Sequence, residues 1–248
     1  MSDIMESPIV KLDVTNSSNN YAMEHLIKEG WKEGTVVFAN FQTKGKGQMK
    51  NSWESEPGKN ILMSIVLYPN FIPVKQQFLI SKVVALGVSD VVSLWAENVS
   101  VKWPNDIYVG DKKIAGILIE NALLGNEILH TVAGIGLNVN QQTFVSDAPN
   151  PVSLGQLTHM EFDREEILQL LIGSIEKWYD RLKAGGQELI DEAFLSRLYR
   201  LEVEANFTDE SGAFQGKIVG VNSIGQLLIE KKNGSTAAYH FKEVAFVG

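Results

Sequence analysis

The tightest constraint on the fold comes from residues 101–107, which read Val-Lys-Trp-Pro-Asn-Asp-Ile. Val101 and Trp103 flank Lys102, so a strand here turns the lysine away from its apolar neighbours. Pro104 fixes its own φ and holds the preceding residue extended, and the Asn-Asp pair that follows favours a turn. The segment therefore predicts a short strand that ends in a rigid turn, with a cation held beside it.

A cation at the end of a strand has two interpretations. It is what a binding site for an anionic substrate needs, and it is equally compatible with a hairpin whose lysine is solvated. The residues around Lys102 leave both interpretations open.

The composition limits the classes of protein that this chain can form. Its 248 residues, 44% of them hydrophobic, suffice for one large domain or for one with a small second domain. The absence of cysteine excludes disulfides and thiol catalysis and fits a cytoplasmic protein. A net charge of −8 argues against general nucleic-acid binding. No stretch has the roughly 20 apolar residues of a membrane span, and the start of the chain is not a secretory signal.

Hydrophobic periodicity predicts short strands joined by tight turns, with the helices grouped elsewhere in the chain. This order is typical of an α+β fold with a mixed or mainly antiparallel sheet. We expect Ser18 and Asp163 to be helix N-caps, the latter in a capping box with Glu166, and Gly30 to end the first helix. The expected helices are 18–29, 74–96, 164–182 and 187–199, and the expected strands are 9–13, 35–41, 60–68, one around Lys102, 107–109, 113–120 and 128–140.

The chain from residue 201 onward contains only strand-like segments separated by turns. Such a short piece forms a small barrel or sandwich, which needs to dock on something larger. We therefore expect two domains, at 1–200 and 201–248.

Two strands carry glycines where side chains are expected. Gly134 and Gly136 share one strand face with Asn138, and Gly116 interrupts another apolar run. Close approach of a ligand to bare backbone explains such glycines, and so does a bulged strand with a polar outer face.

Positive charge and backbone donors meet in the loop Gly45-Lys46-Gly47, which suits a phosphate or carboxylate but is also common in mobile loops. Trp53 either stacks on a planar ligand or belongs to the core. Lys113 is either a second cation near Lys102 or an exposed lysine beside a turn.

The remaining chemistry-bearing residues form no recognisable site. The four histidines, at positions 25, 130, 159 and 240, lack the spacing of metal ligands, so we interpret them as structural and predict no protein metal site. The Gly-x-Ser-x-Gly nucleophile motif is also absent.

Four segments in order resemble the biotin protein ligases. They are Gly-Lys-Gly followed by Trp53, Lys-Trp-Pro-Asn-Asp, Lys-Ile-Ala-Gly-Ile-Leu-Ile-Glu and Gly-Ile-Gly-Leu-Asn-Val-Asn, and the match covers about residues 10–140. The resemblance implies an α+β catalytic domain similar to class II aminoacyl-tRNA synthetases, followed by a small SH3-like barrel.

The resemblance also implies a two-step reaction. Biotin attacks the α-phosphate of MgATP to give biotinyl-5′-adenylate and pyrophosphate, and a lysine of a biotin carboxyl carrier protein then takes the biotinyl group. Fixed cations, backbone donors and Mg²⁺ stabilise the charge in such a reaction. The implied cofactors are therefore ATP and Mg²⁺, with biotin as substrate.

The resemblance assigns roles by matched position. Lys102 and Lys46 are the expected catalytic residues. The expected biotin-binding residues are Ser18, Asn19, Asn20, Gln42, Lys46, Gly47, Gln48, Lys102, Gly116 and Gly134. The expected ATP and adenylate residues are Gly45, Lys46, Trp53, Asn105, Lys113 and Asn138.

The sequence departs from the family pattern in the glycine loop. The family loop usually reads Gly-Arg-Gly-Arg followed by a further glycine. Here Lys46 and Gln48 stand at the two arginine positions and Met49 at the glycine position, and Lys50 is an alternative cation. Lysine does not reproduce the forked guanidinium of arginine, so phosphate contacts are expected to differ. Asn19 also replaces the family's threonine.

Several alternatives remain beside a biotin ligase. The nearest is a lipoate ligase, followed by a protein that retains adenylate as a sensor and by a noncatalytic interaction module. Some family members repress transcription through an N-terminal winged helix-turn-helix, but only about 17 residues precede Ser18, so we expect no DNA binding. The oligomeric state stays open, and a homodimer is compatible with the sequence.

We predict that Lys102→Ala lowers adenylate formation about 100-fold or more, because a fixed cation at the developing charge is lost. Biotin-dependent pyrophosphate exchange measures this, with Lys112→Ala on the neighbouring turn as the control. Near-normal exchange in Lys102→Ala would contradict the assigned role.

Overall fold

The larger part of the protein is built on one mixed sheet. The computed structural model describes residues 7–48, 51–146 and 150–247. The sheet has seven strands in the order β1-β2-β3-β7-β6-β5-β4. β1 and β2 are parallel and every other neighbouring pair is antiparallel, which confirms the expected mixed sheet. The strands are β1 Ile9–Thr15, β2 Val36–Gln42, β3 Ile61–Leu67, β4 Val99–Lys102, β5 Asp106–Val109, β6 Lys112–Leu124 and β7 Glu127–Leu137.

Helices cover the two faces of this sheet unequally. The helices are α1 Ser18–Lys28, α2 Phe78–Val92, α3 Leu154–Thr158, α4 Arg164–Lys183 and α5 Gln187–Ser196. α2 and α4 pack against each other over one face, where Ala133, Ile135 and Leu137 of β7 join the main core. On the other face, Ala22 and Leu26 of α1 form a smaller cluster. Within the described residues, no helix is long and apolar enough to cross a membrane.

The C-terminal part forms a separate antiparallel sheet of five strands in the order β11-β10-β9-β8-β12. These strands are β8 Glu204–Asp209, β9 Gly212–Val221, β10 Leu227–Lys231, β11 Thr236–Tyr239 and β12 Ala245–Phe246. The second sheet docks on the first part at the turn after Lys102, where the Trp103 indole N–H donates to the Gly225 carbonyl over 2.9 Å. The domain boundary at 200/201 stays a prediction.

Element ends differ from the sequence expectations where tertiary contacts intervene. α2 begins at Phe78, after a 3-10 turn at Val74–Gln76, and α5 ends at Ser196 instead of residue 199. The chain after α5 leaves the helix because Tyr199 N–H donates to Val101 in β4.

The predicted caps are mostly confirmed. Asp163 caps α4, but it accepts from Glu165 N–H and does not form the expected capping box with Glu166; Gly30 follows α1 with a φ of +63°. Ser17, not Ser18, is the N-cap of α1. A capping box occurs at α3, between Ser153 and Gln156, and this short helix was not expected. Asp147 to Pro149, in the loop expected before it, lie outside the described residues.

We predict that Gly87→Ala lowers the free energy of unfolding by about 1–3 kcal/mol. A Cβ at this position in α2 would lie 2.7 Å from Ile175 Cγ1 and 3.0 Å from its Cα, so α4 would have to move. This cost exceeds the gain of about 1 kcal/mol in helix propensity. Urea unfolding measures the change, with Ser93→Ala at the exposed end of α2 as the control; an unchanged or higher stability in Gly87→Ala would contradict close packing here.

Candidate active site

A cavity of about 230 Å³ lies on the sheet face that α1 only partly covers. It is lined by the N-terminus of α1, the end of β2, the following loop, the turn after β4, and β6 and β7. The sequence-predicted residues among its lining are Ser18, Asn19, Gln42, Lys46, Gly47, Gln48, Trp53, Lys102, Asn105, Lys113, Gly116 and Gly134. Asn20, Gly45 and Asn138 are not among the lining residues.

A hydrogen-bonded polar cluster forms one end of the cavity. Gln42 Oε1 accepts from Ser18 N–H over 2.5 Å. Ser64 Oγ bonds to Ser18 Oγ at 2.7 Å and to Asn19 Oδ1 at 2.6 Å. Asn19 Nδ2 donates to Glu120 Oε2 over 2.7 Å. These hydroxyl and amide groups are fixed by each other, and they offer both donors and acceptors to a polar ligand.

The sequence analysis missed Ser64 and Glu120. The signal for Ser64 was its position in β3, where it is the one polar residue of Ile-Leu-Met-Ser-Ile-Val-Leu. A buried hydroxyl in such a strand needs a hydrogen-bonding partner, which α1 supplies. Glu120 gave no comparable signal, because it is the last residue of the predicted strand 113–120 and glutamate is usually exposed.

Gly116, Gly134 and Gly136 line the cavity, and side chains of the protein itself lie against their bare backbone, so the expected approach of a ligand there stays a prediction. A Cβ on Gly134 would clash with the Asn19 amide. Gly116 and Gly136 are paired across β6 and β7, and a Cβ on either would clash with the Trp53 indole. The bare backbone therefore holds Asn19 and Trp53 flat against the sheet.

Trp53 lies in the cavity and is not a core residue. Lys113 Nζ lies 5.6 Å from the Trp53 ring centroid. The indole Nε1 is buried with no hydrogen-bond partner among the described residues. The backbone N–H of Trp53 donates to the Gly45 carbonyl over 2.9 Å, so Gly45 shapes the loop that carries the indole without lining the cavity.

Lys46 fastens the glycine loop to α1. Its Nζ donates to Asn20 Oδ1 over 2.5 Å and lies 3.8 Å from Glu120 Oε1. Asn20 therefore contacts the cavity through Lys46. Gln48 Oε1 is buried without a hydrogen-bond partner among the described residues. Met49 and Lys50 lie outside the described residues.

Two further lysines, Lys102 and Lys113, line the other end of the cavity. Lys102 Nζ donates to Tyr108 Oη over 3.2 Å, and burial lowers the pKa of Lys102. Lys113 Nζ pairs with Asp106 Oδ1 at 2.7 Å, while burial raises the pKa of Asp106. The structure thus places Lys113 in the cavity, contrary to its interpretation as an exposed lysine. Lys102 is likewise not simply solvated.

Asn105 and Asn138 are both engaged with the backbone. Asn105 Nδ2 donates to the Ile117 carbonyl over 2.5 Å and ties the turn after β4 to β6. β7 ends at Leu137, so Asn138 does not share the strand face of the glycines as expected. It is buried and donates to the Val152 carbonyl over 3.1 Å. The chain leaves the sheet here because it continues toward α3.

The described residues contain no group of three or more His, Asp or Glu that could hold a metal ion. His25 instead pairs with Glu29 at 2.6 Å, and His240 contacts Gln226 at 3.0 Å.

Comparison with known proteins finds consistent similarity over nearly the whole chain. The biotin/lipoate A/B protein ligase family model matches residues 12–138. The bifunctional ligase/repressor BirA of Bacillus spizizenii is 32% identical over 245 residues, covering 96% of this chain and 74% of that protein. The biotin–(acetyl-CoA-carboxylase) ligase of Paracoccus denitrificans is 29% identical over 227 residues, covering 89% of this chain and 93% of that protein. The structure of biotin protein ligase from Aquifex aeolicus in complex with biotin and ATP has a TM-score of 0.80 at 26% identity, covering 97% of this chain and 98% of that chain.

We predict that Gly136→Ala displaces the Trp53 indole from the sheet, because the added methyl group occupies its place. The indole N–H resonance of Trp53, assigned with Trp53→Phe, should shift toward solvent-exposed values. Gly134→Ala is the matched control, since it lies on the same strand face but meets Asn19 instead. An unchanged Trp53 resonance in Gly136→Ala would refute the packing.

Proposed function

This chain belongs to the biotin/lipoate A/B protein ligase family, and we propose that it uses ATP to join biotin to an acceptor protein. It is a biotin protein ligase, as are the similar proteins that cover most of its length. The single observation that carries this proposal is the cavity, which brings a polar cluster, an indole and three lysines together within the part of the chain that the family model matches.

The polar end of the cavity suits the head group of biotin. A urea group has N–H donors and a carbonyl acceptor, which the hydroxyl and amide groups around Ser18, Asn19 and Gln42 complement. Ser64 belongs to this group because it orients both Ser18 and Asn19. Gly116 and Gly134 contribute by holding Trp53 and Asn19 in place.

The other end suits the nucleotide. Trp53 offers a fixed aromatic surface for the adenine ring. Lys113 lies beside it, while Asn105 and Asn138 support the surrounding backbone. Lys46, Gly47 and Gln48 line the same cavity from the glycine loop, and we propose that they face the point where the two substrates meet.

The proposed chemistry requires two anions to approach each other. The biotin carboxylate attacks the α-phosphorus of ATP, a new oxygen–phosphorus bond forms, and pyrophosphate leaves with the electrons of the broken bond. The neutral amine of an acceptor lysine then attacks the acyl carbon of biotinyl-5′-adenylate, loses a proton and releases AMP. Lys102 and Lys46 stabilise the charge that develops on the phosphate oxygens.

Mg²⁺ enters this reaction as part of the substrate MgATP. It usually binds through substrate phosphates and one or two carboxylates instead of a complete protein cage. The donor set of the cavity fits that mode, because Asp106 lies in its lining beside Lys113.

The finer parts of the function are also proposals. The acceptor is a biotin carboxyl carrier protein, as the similarity to an acetyl-CoA-carboxylase ligase supports. The acidic balance supports the absence of a nucleic-acid partner, and the lack of cysteine supports a cytoplasmic location. A homodimer is compatible with this function. We propose a class II synthetase-like domain at 1–200 and an SH3-like domain at 201–248, since the second sheet begins at Glu204.

Exchange of labelled pyrophosphate into ATP tests the adenylation step. We expect exchange that depends on biotin, with lipoate and no acid as the controls, because the reaction is reversible once the adenylate forms. Exchange that occurs with lipoate but not with biotin would identify the protein as a lipoate ligase instead. Absence of exchange with either acid would refute the proposed activity.

A further inference from the structure

The ammonium group of Lys102 lies among three aromatic rings. Its Nζ is 4.6 Å from the ring centroid of Tyr108 and 5.5 Å from those of Tyr199 and Phe246. These rings come from β5, from the segment after α5 and from β12 of the C-terminal sheet. We call Tyr108, Tyr199 and Phe246 the lysine cage.

The cage is a fixed structure. The rings of Tyr108 and Tyr199 are 5.3 Å apart, and those of Tyr199 and Phe246 are 6.1 Å apart. Tyr199 Oη donates to Asp111 over 2.5 Å. Arg200 stacks over Tyr199 and Phe246 at 5.1 and 5.7 Å. These contacts hold the rings in place without using the lysine.

The cage distinguishes Lys102 from the other two lysines of the cavity. Lys46 lies beside Glu120 and Lys113 is paired with Asp106, whereas Lys102 has no carboxylate within salt-bridge distance among the described residues. Aromatic faces attract a cation without cancelling its charge. Among the described residues, no carboxylate therefore competes at close range with an incoming anion for the Lys102 ammonium group.

The cage lies where two cavities meet. Lys102, Trp103 and Phe241 line both the candidate active site and a second cavity of about 410 Å³ between the main sheet and the C-terminal sheet. Asp106 and Asp111 raise the pKa of Lys102, Arg200 and Lys113 lower it, and burial lowers it most. The two carboxylates are the partners that an unconfined Lys102 side chain would find.

We propose that Tyr108, Tyr199 and Phe246 are positioning residues, which hold the Lys102 ammonium away from Asp106 and Asp111 and ready for the α-phosphate. This inference rests on the proposed biotin ligase function. It makes the C-terminal sheet a part of the catalytic apparatus through Phe246. Preorganising a charged group before reaction raises the rate because reorganisation is avoided.

Substitutions of Phe246 test the cage. We expect Phe246→Leu to lower kcat for biotin-dependent pyrophosphate exchange about three- to tenfold, with little change in the KM for biotin. Phe246→Trp should stay within about twofold of the wild type, because it restores an aromatic face. A role in packing alone predicts the reverse order, since leucine fits the space of phenylalanine better than tryptophan does.

Phe214→Leu is the matched control. The rings of Phe214 and Phe246 both pack on Phe207, at 5.6 and 4.9 Å, and each lies near a lysine. The lysine near Phe214 is Lys231, at 4.2 Å. Equal losses of kcat in Phe214→Leu and Phe246→Leu would overturn the proposal, because a general effect on the C-terminal sheet would then suffice.

A measurement on the wild-type protein leaves the lysine cage itself unaltered. In protein labelled with ¹³C at lysine Cε, the Lys102 signal, assigned with Lys102→Arg, should show an upfield ring-current shift of its protons. A shift typical of a solvated lysine would overturn the cage. Loss of biotin-dependent exchange in the wild type would instead refute the proposed function, whatever the position of this signal.

Discussion

Alternation along β7 is the constraint on which the rest of the structure depends. Its odd-numbered residues Ala133, Ile135 and Leu137 face the core under α2 and α4. Its even-numbered residues therefore face the opposite side, where Gly134 and Gly136 expose backbone. A shift of one residue in the register would bury the glycines and turn the apolar side chains into the cavity. The main core and the candidate active site thus lie on opposite faces of β7.

The same pattern decides how Trp53 and Asn19 are held. Two glycines on adjacent strands give an indole a flat surface that no other residue pair could provide, because any Cβ would meet the ring. Asn19 rests on Gly134 in the same way and is fixed by Ser64 and Glu120. The groups around the cavity are therefore positioned by the sheet before any substrate arrives, which is the condition for effective electrostatic catalysis.

The three lysines of the cavity differ in their nearest neighbours. Lys113 is matched by Asp106 and Lys46 lies beside Glu120, so Lys102 alone of the three lysines in the described lining has rings as its nearest neighbours. A lysine beside a carboxylate attracts an incoming anion less strongly than a lysine among rings, because the carboxylate competes for its charge. The contact of Lys102 with Phe246 links this chemistry to the C-terminal sheet, which the sequence alone presented as an appended domain.

The sequence by itself determined the mixed α+β architecture and the strand carrying Lys102 with its turn, and through the family resemblance it named site residues of which most line the cavity. Local rules suffice for the architecture and the turn, because alternation and turn residues act over short distances along the chain, whereas the site residues rest on the resemblance. Only the tertiary structure decided what each glycine accommodates, that Asn138 turns into the protein, and which rings surround Lys102. Those outcomes depend on contacts such as the one between Lys102 and Phe246, whose residues are distant in sequence and meet only when the two sheets dock.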